Sequence, residues 1–297
     1  MTERNEWIIL QLTDTNFPAG SLGNSNGLES AVAHGVVTSG SARSLFEFIV
    51  LVLEQNAGQM LPFLRAAYRA VKRKDSGEEG VLVEVDCICH ANISNEASVR
   101  SSITQGKCFL KACEACFGQG VYSSLVEAVS STKKGSKRGE EKGNGRGDDE
   151  LEHVVACLHR CLDAQGDKNG SDNRIMNGHY PVIFGAIVAA LGLPLPMACR
   201  AFMRCVLRDV CSCATRLNII GPLEGANIQA KLSSVVEEMI SSPSSSPQAL
   251  QSEVDEDDVF GAPQLRGLFS ELPSTSSPMV DMIQSRHDLL YSRLFNS

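Results

Sequence analysis

Two residue patterns in this chain could do chemistry. The first is Gly23-Asn24-Ser25-Asn26-Gly27, which fits G-x-S-x-G. In a nucleophile elbow that spacing lifts the serine hydroxyl out of a tight turn between a strand and a helix, so Ser25 would be the nucleophile of a serine hydrolase. The second is a set of thiols and imidazoles: Cys113-x-x-Cys116, Cys87-x-Cys89-His90 and His179. In a helix Cys113 and Cys116 share a face, as do Cys157 and Cys161. A structural zinc site needs four such ligands, often as two close pairs.

Each pattern makes a demand on the elements around it. An elbow needs a strand before it, and WIILQL (Trp7–Leu12) could supply one. No βαβ alternation follows to build the parallel sheet. Without a sheet, the Gly/Asn run is a turn shaped by Pro18, Gly20 and Gly27. Asn26 then caps the next helix, and Glu29, at the third helical position, reaches back to free backbone N–H groups. The eleven cysteines are an odd number in a chain with no secretory signal. Reduced thiols serving as small core residues are the plain reading. No Gly-Lys-Ser/Thr phosphate loop occurs. The acidic run Glu253–Asp258 sits in a Ser/Pro-rich stretch, where a solvated charge run is expected.

Charge and hydropathy narrow the class. A net charge of −8 argues against a nucleic-acid binder. The longest apolar stretches, Phe46–Leu53 and Pro181–Gly192, fall short of a membrane span. The expected setting is the cytoplasm, with no membrane contact.

Helical periodicity dominates. Ser41 or Ser44 caps a deeply buried helix that Gly58 would stop. A second helix runs over Leu61–Lys74, with Pro62 in its first turn and Lys72, Arg73 and Lys74 at its end. VLVEVDCICHAN alternates at Val81, Val83 and Val85 but has no partner strand, so it reads as helix. Ser94 caps a helix to Phe117 that carries a Glu96–Arg100 pair. Gly106 inside it implies close packing on another helix. Leu151–Leu162 is amphipathic. Pro181–Leu191 is apolar all round and therefore central. Pro194 and Pro196 open a long helix to about Ile220, with Arg200, Arg204 and Arg208 on its polar face. Asp209 and Arg216 project onto the apolar side, so each must find a partner from elsewhere. Glu224–Ile240 follows. The C-terminal segment is helix-like, with Met279, Ile283, Leu290 and Leu294 near one face. The expected fold is all-α: a single helical-bundle domain of about nine helices spanning 1–297. It carries two disordered polar insertions, 131–149 and a Ser/Pro/acidic linker at 241–262, and ends in a tail over 278–297.

Three blocks carry a family resemblance. LQLTDTNFPAGSLGNSNGLE, GHYPVIFGAIVAALGLPLPMACRAFMRCVLRDVCSCATRL and SRHDLLYSRLFNS resemble the urease accessory protein F family, with a weaker match at Asp86–Gly106. The family patterns are L-Q-L, P-x-G and S-x-G-L-E, then G-H-x-P-x-x-F-G and A-x-R-L, and finally H-x-x-L-Y-x-R-L-F-x-S. The insertions are similar to those of a longer, plant-type member. Two departures stand out. The family's glutamines after Arg216-Leu217 are missing here, where Gly221-Pro222 and Gly225-Ala226 stand. Phe or Tyr is usual near Leu22.

The resemblance implies a protein that catalyses nothing and needs no cofactor. It implies an adaptor that binds accessory protein D/H and recruits or regulates the GTPase accessory protein G. That assembly would contain a homodimer of this chain and would load nickel into apo-urease. By position, Glu29 and Arg216 match residues of the GTPase side. Asp281, His287, Tyr291, Arg293, Leu294 and Phe295 match the segment that docks on D/H. A serine hydrolase using Ser25, and a direct nickel or zinc carrier through the cysteines or His179, are the alternatives.

Overall fold

In the computed structural model the described residues are 3–38, 40–73, 78–118, 146–163, 175–241, 265 and 267–296. Among them are eleven α-helices and no strand: α1 Glu3–Leu12, α2 Leu28–Ala33, α3 Ala42–Gln55, α4 Leu61–Arg73, α5 Glu78–Asn92, α6 Glu96–Phe117, α7 Arg146–Asp163, α8 Tyr180–Ala190, α9 Leu195–Arg216, α10 Pro222–Ser241 and α11 Pro278–Ser285. None is long and apolar enough to cross a membrane. Of the expected insertions, 131–145 and 242–262 lie outside the described residues. Arg146–Asp149 open α7 and Ser241 closes α10.

The centre is α8, whose eleven residues are all buried. It is gripped from two sides at glycines. A Cβ on Gly185 would lie 2.3 Å from the Leu64 carbonyl oxygen of α4, and one on Gly106 of α6 would lie 2.1 Å from the Gly178 oxygen just before α8. Gly106 is therefore the close-approach point that its place in a helix implied. Phe109, Tyr180, Phe184 and Phe202 pack ring to ring at centroid distances of 5.0 to 5.5 Å, joining α6, α8 and α9.

Several local expectations need correction. WIILQL is the body of helix α1, with Ile8 and Leu12 buried four apart while Trp7 and Leu10 face out. Burial at helical spacing overrides the β propensity of Trp and Ile. Gly58 does not stop α3. A π-turn over Asn56–Met60 carries the chain into α4, and the Gly58 carbonyl accepts from Ser274 N–H at 3.0 Å. The cap of α6 is Asn95, not Ser94, its Oδ1 accepting from Ser98 N–H at 2.8 Å. For α3 the cap is Ser41. The C-terminal segment is not one amphipathic helix. α11 ends at Ser285, a 3₁₀ turn covers His287–Leu289, and residues 290–296 are irregular, with bends at 291–292 and 294–295. Val280, Ile283, His287 and Phe295 face inward, whereas Leu294 is 72% exposed.

Candidate functional site

The turn between α1 and α2 rests on a buried ion pair. Arg208 of α9 is not on a solvated face. It is 8% exposed, and it donates to the carbonyls of Thr13 (3.1 Å) and Asp14 (2.8 Å), to Ser21 Oγ (3.1 Å) and to Asp209 Oδ1 (2.7 and 2.9 Å). The turn lies over the helix face that sequence alone assigns to water. Asp209 thus meets its neighbour in sequence and, from the turn, the Ser21 side chain. Burial pushes the Asp209 carboxyl above its ordinary range, and the adjacent guanidinium pulls it back. Burial works most strongly on Arg208 and lowers its pKa, but the Asp209 carboxylate, Cys205 and Tyr180 together outweigh it and leave the guanidinium raised. One partner removed would leave the other charge buried and unpaired.

Gly20 (φ 73°) and Gly27 (φ 81°) take left-handed conformations that let the turn close, while Pro18 is exposed. Asn26 does not cap α2. Gly27 holds the cap position with no side-chain bond, and Asn26 N–H is taken by Asn24 Oδ1 at 2.9 Å. Ser25 is wholly buried and is preceded by a helix and a 3₁₀ turn, so no elbow presents its hydroxyl to a substrate.

Glu29 does not fold back on its own helix either. It is 7% exposed and receives the tail. Oε1 accepts from Leu294 N–H at 2.6 Å; Oε2 accepts from Phe295 N–H at 3.2 Å and from His287 Nε2 at 3.2 Å. Tertiary donors outcompete the local ones because the tail delivers three that have no other acceptor. His287 is fully buried, and its Nε2 must carry a proton to serve this carboxylate. Its Nδ1 has no hydrogen-bond partner, the nearest carboxylate oxygen being Asp288 Oδ1 at 3.9 Å.

The tail is pinned along its length. Gln55 Oε1 accepts from Ser277 N–H at 2.8 Å, and Ser30 Oγ donates to the Ile283 carbonyl at 2.7 Å. Asp281 accepts from Gln55 Nε2 and Asn95 Nδ2, each at 3.4 Å. Burial raises its pKa while hydrogen bonds from Ser94, Asn95 and Gln55 work against the rise. Gln284 Oε1 accepts from Ser98 Oγ at 2.6 Å, and Asn296 N–H reaches the Gly23 carbonyl at 2.7 Å. Arg100 is not paired with Glu96. It grips both oxygens of Asp288 at 2.7 Å, and Arg293 joins the same carboxylate at 2.9 Å. The hydrogen bond from Arg100 comes first among the causes that hold the Asp288 carboxyl below the usual range.

Arg216 ends α9 exposed, not on the apolar side; its guanidinium carbon sits 4.5 Å from the centre of the Phe295 ring. That is cation–π distance. The structure therefore gathers Glu29, Arg216, His287 and Phe295 into one node. Asp281 is half-buried along α11, while Tyr291, Arg293 and Leu294 point outward. Sequence reasoning missed Ser30, Gln55, Asn95, Ser98, Arg100 and Gln284, which hold the tail. Lone polar residues on helices carry no periodic signal, and their partners lie about 190 to 250 positions away.

The thiols and imidazoles do not converge. Among the described residues no three His, Cys, Asp or Glu side chains could hold a metal ion together. Burial pushes Cys205, Cys211 and Cys213 up to about 12, so these thiols stay protonated. His179 caps α8 with its backbone N–H on Asp86 Oδ1 at 2.8 Å. Its ring lies between Ser102 Oγ and His90 Nδ1, each at 3.1 Å. Burial lowers its pKa to about 4.

Comparison with known proteins places the sequence among its relatives. The family model for UreF matches residues 40–233. The chain is 26% identical over 295 residues to "Urease accessory protein F" of Oryza sativa subsp. japonica, covering 99% of this chain and 86% of that one. It is 27% identical over 292 residues to the protein of the same name in Arabidopsis thaliana, covering 98% and 92%. It is 23% identical over 282 residues to "Urease accessory protein UreF" of Bradyrhizobium diazoefficiens, covering 95% and 87%.

Proposed function

The chain belongs to the UreF family, and from that premise we propose that it is a non-catalytic adaptor of urease maturation. It binds accessory protein D/H through its C-terminal tail and recruits or regulates the GTPase accessory protein G beside it. The assembly, with two copies of this chain, delivers nickel to apo-urease; nickel is cargo and not a resident cofactor. The protein works in the cytoplasm.

The observation that supports this reading best is the node at Glu29. Two residues matched to the GTPase side, Glu29 and Arg216, touch His287, Leu294 and Phe295, which are matched to the D/H side. An adaptor needs its two faces held in fixed relation, and a buried carboxylate tied to the tail does that. The tail also shows Met282 at 64%, Leu289 at 79% and Leu294 at 72% exposure. Apolar side chains grouped on one segment suit a protein interface.

The test is co-expression with the D/H and G partners, followed by mass measurement of the complex. The full chain should form a complex containing all three, and deletion of 278–297 should abolish D/H binding. Intact D/H binding by the truncated chain would remove the tail from the interface.

A further inference from the structure

Between the turn at Asn24 and Asn26 and the helices α3, α6, α8, α9 and α11 lies a partly open cavity of about 70 Å³. Its walls are mostly neutral amides and hydroxyls, and Tyr180, Phe202 and Val206 give it an apolar floor. Gln105 of α6 is 7% exposed and lines the cavity, yet its side-chain amide makes no hydrogen bond among the described residues. Nearby amides are closed by the protein itself. Gln55 Nε2 donates to Gln59 Oε1 at 3.0 Å, and Gln59 Nε2 donates to the Asn92 carbonyl at 2.9 Å. A buried amide with neither its donor nor its acceptor met is costly, so the partner of Gln105 belongs in the cavity.

The other lining groups define that partner. Asn26 Oδ1 accepts from Asn24 Nδ2, Gln284 Oε1 accepts from Ser98 Oγ and Asn95 Nδ2, and Asn56 Nδ2 donates to the Val52 carbonyl. Among the described residues, Asn26 Nδ2, Gln284 Nε2 and Asn56 Oδ1 stay uncommitted. Donors and acceptors are therefore offered together, and an ion uses only one kind. Charge points the same way. No described Lys, Arg or His lines the cavity, and the one described carboxylate on its wall, Asp209, is already paired with Arg208. An anion finds no cation here, and a cation finds no free carboxylate. The space holds two or three waters at ~30 Å³ each, or one flat solute of about four to six heavy atoms. Waters gain nothing from the apolar floor, whereas a planar amide lays its face on that floor and its polar edge on Gln105.

We propose that the cavity is a binding site for a small neutral molecule bearing a primary amide, of the urea or carboxamide class, with Gln105 as its main contact. Gln105 Oε1 accepts a ligand N–H while its Nε2 donates to the ligand carbonyl. Asn26 and Gln284 add donors, and Asn56 adds an acceptor. The site stands independently of the adaptor reading, because this chain supplies all of its groups. A ligand there bridges the turn, α6 and α11, so its occupancy acts on elements that also hold the tail.

The test follows side-chain amide resonances of the full chain by two-dimensional NMR. Urea, acetamide or guanidinium is added up to about 200 mM, well below denaturing strength. Guanidinium has the size and shape of urea but carries a charge and no acceptor. The Gln105 signals should shift saturably with urea, acetamide or both, with half-saturation below about 100 mM, as suits a ligand of about four heavy atoms. Which of the two saturates identifies the class. Gln105→Leu should weaken that binding at least about tenfold, read at the Asn26 and Gln284 amides. Guanidinium should give no saturable shift. Strictly linear shifts with both amides mean that the cavity holds water alone, and they overturn the proposal. Saturation by guanidinium at the same strength overturns it too, as does unchanged affinity in Gln105→Leu. The wild-type titrations decide the matter even where the variant does not fold.

Discussion

Removing the Glu29 carboxylate should release the tail. In Glu29→Ala, Leu294 N–H, Phe295 N–H and His287 Nε2 lose their acceptor at once. A hydrogen bond to a charged group contributes about 1.5–3 kcal/mol. The three share one carboxylate and are not additive, and the two amides regain water once the tail lifts. A loss of about 3–5 kcal/mol in tail docking is expected, with the core intact. That corresponds to roughly a 10²- to 4 × 10³-fold rise in local opening. Native-state hydrogen exchange reads it directly. Amides of Leu294 and Phe295 should exchange faster by that factor, while Ile183 and Phe184 in α8 should not change. Trypsin should also cut faster after Arg286 and Arg293. Glu29→Gln keeps one acceptor oxygen and should fall in between. Exchange at Leu294 and Phe295 within about threefold of wild type in Glu29→Ala would refute the claim that this carboxylate holds the tail.

Two further outcomes concern the scaffold beneath the site. Gly106→Ala places a Cβ 2.1 Å from the Gly178 carbonyl oxygen and 3.0 Å from Tyr180 N, both backbone atoms. Relief would separate α6 from α8 and break the bond from Tyr180 N–H to Ser102 Oγ. The cost should be at least about 3 kcal/mol, or a fall in Tm of roughly 10 °C, checked by thermal melting. Stability should also fall as pH drops below about 6.5. His179 titrates at about 4 in the fold against 6.5 unfolded, so between those values the unfolded chain binds a proton that the native one does not. Burial is the main cause, and it makes the contribution about 2 kcal/mol at pH 5 relative to neutral pH. Urea unfolding midpoints across pH 4 to 8 should lose this slope in His179→Gln.

Much of the architecture follows from local chemistry. The all-apolar run at Pro181–Leu191 has no face to give to water, so it had to be the centre, and α8 is. Gly106 within a helix marked a close approach, because only a backbone contact compensates for its entropy. The 3.6 period marks α3, α4, α6 and α9 to within a few residues. The family resemblance also lies in linear motifs, and so it was legible before any fold.

Tertiary structure decided where charges go. Arg208 reads as a solvated arginine, yet the turn closes over it and makes it the ligand of two carbonyls, a hydroxyl and a carboxylate. Glu29 reads as a capping residue, yet donors more than 250 positions away claim its carboxylate. The tail reads as one amphipathic helix, yet fixing His287 and Phe295 against the body breaks it at Ser285. The reason is the same in each case. Hydrophobic periodicity is written in nearest neighbours along the chain. The partner of a buried polar atom is set by which distant segment arrives with an unsatisfied donor, and that is known only once the helices have packed.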